Sequence, residues 1–360
     1  MEKRNDYVLW FEECDLTSIP LVGGKNASLG ELLKAKIPVP PGFAVTTKAY
    51  TLFLEQGQIK TEIFRILDGI KVNDMDSGEE ASKAIRALIE STPVSDELQD
   101  YICEFYRRLS KRSNVPAVPV AIRSSATAED LPGASFAGQQ DTFLWVRGAD
   151  GVVNHVKKCW SSLFTARAIY YRAKMGFPHD QVEISVGVQK MANSWTAGVM
   201  FTLNPATGDR STIAIDANYG FGESVVSGEC TPDNFIVNKI TDEIIKKSIS
   251  HKTICYIRDP KAHRVVKEDI PSERADTQCV VDRDVIELAI IGKRIEKHYG
   301  KAMDIEWAID KDTPGKAKVL ILQSRPETVW SSKERKPITQ ARSSALEHIC
   351  AGLVTGRKLT

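Results

Sequence analysis

The amino-acid sequence predicts an α+β fold with two subdomains and a cleft between them. Its 360 residues exceed what one compact domain usually holds. Apolar residues at helical spacing prevail early in the chain, and short β-type runs prevail after Pro178. Helices followed by strands are typical of segregated α+β structure. We expect subdomains at residues 1–188 and 189–330, followed by a linker or partner-docking tail at 331–360.

The first subdomain is predicted to be mainly helical. Apolar spacing indicates helices after Gly24, around Ile85 to Ile89, and over Val152 to Lys174, the last one long and amphipathic. Two short strands are expected at 43–45, after a proline-rich breaker run, and at 118–122.

After Pro178 the chain is predicted to consist mainly of strands. They are expected at 182–188, 197–201, 213–216, 235–237, 305–309 and 319–322. One helix, from about Val285 to Tyr299, interrupts them. Gly300 marks its end, because glycine is the commonest residue just beyond a helix C-terminus.

The charge balance excludes several classes of protein. The 48 basic and 47 acidic side chains leave a net charge of +1, which gives no overall attraction to nucleic acid or to an anionic membrane. No apolar run approaches the roughly 20 residues that span a bilayer, and the chain does not open with a signal peptide. We therefore expect a cytoplasmic protein.

Seven cysteines without a C-x-x-C pair predict reduced, mostly buried thiols.

The clearest chemical pattern lies near the end of the predicted strands. A strand period of two places Asp304 and Glu306 on one face, and Gln323 and Arg325 likewise share a face. A hairpin would bring the four groups together. Carboxylate and amide oxygens suit Mg²⁺, and a guanidinium can hold a phosphate through two hydrogen bonds. The other interpretation is a surface ion pair between Glu306 and Arg325.

A glycine pair and Lys25 stand at the predicted start of a helix. Backbone N–H groups and the positive helix end attract anions there, and the ammonium adds a charge. The segment is not a Walker A loop, because Ile19 and Asn26 occupy positions that require glycine and a hydroxyl residue. The other interpretation is an ordinary helix start with a solvated lysine.

Two further segments contain small residues that let a backbone approach a ligand. One segment starts at Arg123, continues with two serines and leads into a glycine-containing loop. Its guanidinium and hydroxyl groups could donate hydrogen bonds to a polyphosphate. The other interpretation is a mobile surface loop. The G-x-G at Gly220 to Gly222 is interpreted as a tight turn lining the cleft, because Val225 replaces the third glycine of a dinucleotide fingerprint.

Seven motifs in this order resemble a known family. They are GGKNASLG (23–30), RSSATAEDLPGASFAGQQDT (123–142), VQKM (188–191), GVMFTLNP (198–205), NYGFGESVVSG (218–228), DIEW (304–307) and ILQSRPET (321–328). Together they are similar to the N-terminal, ATP-grasp-type nucleotide-binding domain of phosphoenolpyruvate synthase, pyruvate phosphate dikinase and rifampin phosphotransferase.

The resemblance implies an ATP and Mg²⁺ site with roles for particular residues. Phosphates would be held by Lys25, Arg123 and Arg325, which would also be the catalytic groups. The remaining roles are a glycine-loop lid with Gly138 and Thr142, adenine contacts from Gln189 and Met191, and Mg²⁺ ligation by Glu306 and Gln323, with Asp304 as a weaker addition.

The resemblance also implies a reaction and a partner. Family members transfer a phosphoryl or pyrophosphoryl group from ATP to a histidine on a separate domain, with AMP and phosphate as products. His348 lacks the expected surroundings for that histidine, so we expect a histidine-bearing phosphotransferase subunit as partner. Phenylphosphate synthase, which acts in phenol degradation, is divided in this way and is the main expectation. The alternatives are a phosphoenolpyruvate synthase or rifampin phosphotransferase relative, and a non-catalytic ATP-sensing module.

Overall fold

The structure is a computed structural model of the chain. The residues it describes are 6–70, 75–127, 141–179, 182–259, 261, 264–312 and 318–331. The chain divides into two compact units, Met1–Glu327 and Thr328–Thr360. All helices and strands given below belong to the first unit. Of the predicted tail at 331–360, only Ser331 lies within the described residues.

Ten α-helices form in the described part of the chain. They are α1 (Ile19–Lys34), α2 (Thr47–Gln56), α3 (Lys60–Asp68), α4 (Met75–Ser91), α5 (Asp96–Arg112), α6 (Ala149–Ser161), α7 (Ala166–Met175), α8 (Glu223–Val226), α9 (Ser272–Ala275) and α10 (Asp282–Tyr299). The predicted helix that ends at Gly300 is confirmed as α10, and Gly300 adopts the expected left-handed conformation with φ 67°. No described helix has the length and apolar character needed to cross a membrane.

The long helix predicted from Val152 to Lys174 is two helices. The chain leaves the helical path before α7, and the Thr165 side chain accepts a hydrogen bond from the Ala168 N–H at 3.2 Å. A threonine in this position satisfies an N–H group that the first turn of a helix leaves without a partner. Apolar spacing continues across the break, which explains why the sequence predicts one helix.

Thirteen strands complete the described structure. They are β1 (Val8–Trp10), β2 (Gly42–Val45), β3 (Val120–Ala126), β4 (Thr142–Val146), β5 (Ile184–Lys190), β6 (Ser194–Phe201), β7 (Thr212–Tyr219), β8 (Asp233–Asn238), β9 (Ile244–Ser248), β10 (Ile254–Asp259), β11 (Arg264–Asp269), β12 (Met303–Asp310) and β13 (Val319–Pro326). Each predicted strand overlaps one of these. The sequence missed β1, β4, β9, β10 and β11.

The strands form three antiparallel sheets. One has five strands in the order β1-β2-β5-β3-β4, one has six in the order β13-β12-β6-β7-β8-β9, and β10 and β11 form a separate pair. The α+β class is thereby confirmed. The five-stranded sheet ends in sequence at Lys190 and the six-stranded sheet starts at Ser194, so the predicted boundary after residue 188 falls inside β5. The division into functional subdomains stays a prediction.

Two large hydrophobic cores hold the sheets in place. The first packs helices of the N-terminal half against one face of the five-stranded sheet, where Trp10, Phe43 and Val188 are buried. The second contains apolar residues of α1 and α10 together with the six-stranded sheet. Leu9 and Ala44, on the other face of β1 and β2, also belong to this second core. The helix α1 therefore packs within the core of the C-terminal sheet.

A kink at Gly23 shapes α1. This residue has φ 71°, a left-handed conformation inside an otherwise helical segment. A Cβ atom at Gly23 would lie 2.1 Å from the Ser125 carbonyl oxygen, so only glycine allows α1 to approach β3 this closely. Helical geometry is interrupted at Gly23 and resumes directly after it, so the predicted helix start at the glycine pair is confirmed; the sequence missed only the preceding helical segment from Ile19.

The cysteine prediction is confirmed for the described residues. Six cysteines lie among them, all are free thiols, and five are buried. Cys350 lies outside the described residues.

Candidate functional site

A cleft with a volume of about 900 Å³ is lined by strands of both large sheets. The five-stranded sheet contributes residues of β3, β4 and β5, and the six-stranded sheet contributes residues of β6, β12 and β13. The segment from Phe221 to Glu229, which contains α8, supplies another part of the wall. The G-x-G segment therefore lines the cleft, as predicted.

The cleft brings together nearly all of the residues that the sequence singled out. Those that line it are Lys25, Arg123, Thr142, Gln189, Met191, Glu306, Gln323 and Arg325. Gly138 lies outside the described residues, and Asp304 adjoins the cleft through its hydrogen bond with Arg325. The roles of these residues toward a ligand stay predictions.

The predicted hairpin is formed by β12 and β13. Asp304 stands opposite Arg325, and Glu306 stands opposite Gln323, so each pair shares a face of the sheet. The register then shifts, because Trp307 stands opposite Ile321 and Leu322 has no residue opposite it. A bulge of this kind bends a strand and frees backbone groups from the ladder. The Leu322 carbonyl accepts a hydrogen bond from Arg123 Nη1 at 3.0 Å.

Each carboxylate of the hairpin has a guanidinium beside it. Arg123 Nη2 donates to Glu306 Oε2 at 2.7 Å, and Arg325 Nε donates to Asp304 Oδ2 at 2.8 Å. The Arg123 and Glu306 side chains are 20% and 23% exposed, so this pair is only partly open to solvent. The alternative interpretation expected Glu306 to pair with Arg325 at the surface. The structure places Glu306 against Arg123 on the other sheet.

The two carboxyl groups differ in their tendency to ionise. Burial favours the neutral form of Glu306, but the charge of Arg123, the hydrogen bond from it, and the charges of Lys25 and Arg325 outweigh burial and lower its pKa. Burial has the larger effect on Asp304 and raises its pKa in spite of Arg325. Glu306 is therefore the stronger anion of the pair and the better ligand for a cation.

Lys25 enters the cleft from α1, and a buried neighbour fixes the helix there. The Asn26 Nδ2 atom donates to the Val22 carbonyl at 3.0 Å and to Ser185 Oγ at 3.1 Å, and its backbone N–H donates to Ser125 Oγ at 3.2 Å. These bonds hold the helical turn against β3 and β5. Lys25 Nζ donates to the carbonyl of Ser124, the residue after Arg123 in β3, at 3.2 Å.

Residues 19–346 match the pyruvate phosphate dikinase, AMP/ATP-binding domain family. The chain belongs to this family. Phosphoenolpyruvate synthase of Pyrococcus furiosus is 45% identical to it over 359 residues, with 89% of this chain covered. A probable phosphoenolpyruvate synthase of Staphylothermus marinus is 46% identical over 355 residues, with 93% covered.

The chain spans less than half the length of these two relatives, 44% and 43% respectively. The resemblance to the family stated from the seven motifs is confirmed. The relatives are named as phosphoenolpyruvate synthases, so the alternative expectation of such a relative is better supported than phenol phosphorylation.

The donor set of this family member fits a magnesium ion. Glu306 and Gln323 supply a carboxylate and an amide oxygen from adjacent strands, and Mg²⁺ commonly takes one or two carboxylates plus phosphate oxygens and water. Within the described ranges no three His, Cys, Asp or Glu side chains form a self-sufficient metal cluster.

Apolar side chains also line the cleft, and the sequence indicated them only in part. Ala197, Ala308 and Leu322 line the cleft from the six-stranded sheet. Met191, directly after β5, also lines the cleft and is 8% exposed, and its N–H donates to the Pro119 carbonyl at 2.9 Å. Gln189 is buried, and its Nε2 lies 3.4 Å from the Pro40 carbonyl.

Four charged residues that line the cleft were missed by the sequence analysis: Arg167, Lys190, Glu223 and Glu229. Arg167 belongs to α7 and is exposed at the cleft wall, and Glu223 begins α8. Arg167 lies inside an amphipathic helical pattern, which conceals its position. Glu223 directly follows the G-x-G turn, and that neighbourhood was the available signal.

Proposed function

We propose that this chain is the ATP-binding part of a dikinase-type phosphotransferase related to phosphoenolpyruvate synthase. It binds Mg²⁺ and ATP in the cleft and passes a phosphate-containing group to a histidine of a partner domain or subunit. AMP and phosphate are the products on the nucleotide side. Family membership and the names of the relatives support this proposal. We further propose that the two sheets act as the halves of an ATP-grasp.

One observation carries the proposal. Three cationic side chains, Lys25, Arg123 and Arg325, line the same cleft as Glu306 and Gln323. Lysine and arginine charges hold phosphate oxygens, and arginine does so through paired hydrogen bonds. A mixed set of this kind is suited to a triphosphate with its cation, because phosphoryl transfer depends mainly on positioning and on neutralising charge.

The proposed reaction balances in two steps. The partner histidine attacks the β-phosphorus, a P–N bond forms, the bond between the α- and β-phosphates breaks, and AMP leaves. Water then cleaves the terminal phosphate from the pyrophosphorylated histidine, which keeps one phosphoryl group. Lys25, Arg123 and Arg325 bind oxygens that gain negative charge as AMP leaves. Glu306 and Gln323 would hold a Mg²⁺ ion, which when bound would supply further positive charge near the phosphate oxygens.

The apolar end of the cleft takes the base in this proposal. The predicted adenine contacts, Gln189 and Met191, line the cleft together with the apolar side chains of Ala197, Ala308 and Leu322. The predicted lid role of Gly138 and Thr142 is part of the same proposal. Thr142 begins β4 at the cleft wall and is exposed.

Binding of Mg-ATP to the full chain tests the first part of the proposal. Calorimetry with ATP and Mg²⁺ is expected to show one site per chain, and Glu306→Ala is expected to remove the Mg²⁺ requirement together with most of the affinity. Glu273→Ala, an exposed residue of α9, is the matched control and is expected to bind normally. Failure of the unaltered chain to bind Mg-ATP would refute the proposal.

Catalysis is tested with a histidine-bearing partner. The chain alone is expected to form little AMP, and addition of a histidine-bearing phosphotransferase domain from a phosphoenolpyruvate synthase is expected to start AMP release. Glu306→Ala should abolish that release. If the assembled system binds Mg-ATP but releases no AMP, the alternative in which the cleft senses ATP without acting on it is favoured.

A further inference from the structure

Glu223 is a carboxylate of the cleft for which the proposed phosphate and metal chemistry has no use. It lines the cleft at the start of α8, and its Oε2 atom is buried without a hydrogen-bond partner among the described residues. Leaving a buried polar atom without a partner is unfavourable by about 1–3 kcal/mol. A ligand in the cleft could supply the hydrogen-bond donor that Glu223 Oε2 lacks.

The position of Glu223 lies between the two ends of the cleft. Phe221, two residues before Glu223, belongs to an apolar cluster with Met191. A Cβ atom at Gly222 would lie 3.8 Å from the Cβ of Ala197. On the other side, burial raises the pKa of Glu223, and the charge of Arg123 lowers this pKa while the charge of Glu306 raises it. The base end therefore lies on one side of Glu223 and the phosphate end on the other.

The part of a nucleotide between its base and its phosphates is the sugar. We propose that Glu223 accepts hydrogen bonds from the ribose hydroxyl groups and makes the cleft selective for ribonucleotides over deoxyribonucleotides. This inference rests on the proposed function, because it assumes that a nucleotide occupies the cleft. The terminal torsion of a glutamate turns through a broad range, so a modest rotation of the carboxyl group can present either oxygen.

A hydroxyl donor suits Glu223 better than a metal ion does. The proposed metal ligands lie on β12 and β13, where arginine and lysine charges keep Glu306 ionised. Burial acts in the opposite direction on Glu223 and favours its neutral form. A carboxyl group accepts a hydrogen bond from a hydroxyl in either form, whereas a cation needs the carboxylate.

The test compares nucleotides that differ in one hydroxyl. Calorimetry of the full chain with Mg²⁺ is run with ATP, 2′-deoxy-ATP and 3′-deoxy-ATP. The unaltered chain is expected to prefer ATP by roughly tenfold over at least one deoxy analogue, which corresponds to about 1.4 kcal/mol. Glu223→Ala is expected to bring this ratio close to one, and Glu223→Gln is expected to give an intermediate ratio because the amide oxygen still accepts.

Glu229 provides a matched control. It also lines the cleft, but its carboxylate is held by Lys267 Nζ at 2.6 Å and by the Tyr256 hydroxyl at 3.2 Å. Glu229→Gln is expected to keep the preference for ATP. If Glu223→Ala does not fold, the affinity of Glu223→Gln for ATP relative to the deoxy analogues tests the inference instead. A preference equal to that of the unaltered chain would then overturn it.

Three outcomes separate the possibilities. Equal affinity of the unaltered chain for ATP and both analogues, or a Glu223→Ala variant that keeps the full preference, overturns this inference and leaves the proposed function standing. A raised Mg²⁺ requirement in Glu223→Ala with an unchanged sugar preference makes Glu223 a metal ligand and also overturns it. Absence of any ATP binding overturns the proposed function and this inference together.

Discussion

Arg123 and Glu306 form an ion pair across the cleft, with Nη2 of the arginine 2.7 Å from Oε2 of the glutamate. The two residues are 183 positions apart, on β3 of the five-stranded sheet and β12 of the six-stranded sheet. The pair therefore joins a proposed phosphate-binding group to a proposed metal ligand. In the proposed complex with Mg-ATP, Arg123 would exchange Glu306 for a phosphate, and Glu306 would exchange Arg123 for Mg²⁺. Each charge would then keep an opposite charge beside it.

Removal of Arg123 is expected to destabilise the free protein. Arg123→Ala leaves a partly buried carboxylate without its guanidinium, and we expect the free energy of unfolding to fall by about 1–3 kcal/mol. Adding Glu306→Ala should recover part of this loss. Urea unfolding of both single variants and the double variant measures the coupling. Strictly additive effects would show that the pair contributes nothing to stability.

The coupling between Arg123 and Glu306 is expected to persist into mildly acidic solution. Because the pKa of Glu306 is lowered in the folded protein, its contribution is complete above the unfolded value, about 4.3, and is lost as the pH falls through the lower folded value. The same double-variant cycle at about pH 7 and about pH 5 should give equal coupling, with a decline below about pH 4. A coupling already lost at the intermediate pH would contradict the charge arrangement described.

Gln323 is expected to set the Mg²⁺ requirement of ATP binding. Gln323→Ala removes one oxygen donor and leaves Glu306 in place, so the Mg²⁺ concentration for half-maximal ATP binding should rise by roughly tenfold, or about 1.4 kcal/mol. Titration of Mg²⁺ at fixed ATP, followed by calorimetry, measures this shift. Gln99→Ala, on α5 and outside the cleft lining, should leave it unchanged. An unaltered requirement in Gln323→Ala would remove Gln323 from the proposed metal site.

Gly23 is expected to tolerate no side chain. Gly23→Ala forces a left-handed conformation on alanine and places its Cβ against the Ser125 carbonyl, so the free energy of unfolding should fall by about 2–4 kcal/mol. Gly151→Ala in α6 is the matched control, because its Cβ would lie 3.6 Å from Val146 Cγ1 in ordinary contact. That variant should be neutral or up to about 1 kcal/mol more stable. Equal thermal stability of the two variants would show that the kink is not required.

Local periodicity explains what the sequence predicted well. The alternation of side chains along a strand was sufficient to place Asp304 with Glu306 and Gln323 with Arg325, and the hairpin register confirms it. Helix α10 was predicted because its apolar spacing ends at a glycine. Both features depend only on neighbours within one or two elements.

Long-range contacts and backbone geometry explain what the sequence did not reveal. Nothing near Arg123 indicates that it pairs with Glu306, since sheet packing brings them together. The kink at Gly23 accompanies the close approach of Ser125, and the break before α7, where Thr165 caps the helix, lies within continuous apolar spacing. The G-x-G turn places Glu223 near the cleft, but the sequence does not show that its carboxyl group lines the cleft wall.

The placement of α1 has a consequence for synthesis on the ribosome. Its side chains Val22, Leu29 and Leu32 share a core with Ile305 and Ile321, which are translated much later. While only the first half of the polypeptide has emerged, these side chains lack the strands that cover them. Cutting the gene between Lys190 and Ser194 would likewise give two fragments that each expose an apolar surface, so we expect them to fold only by complementing each other.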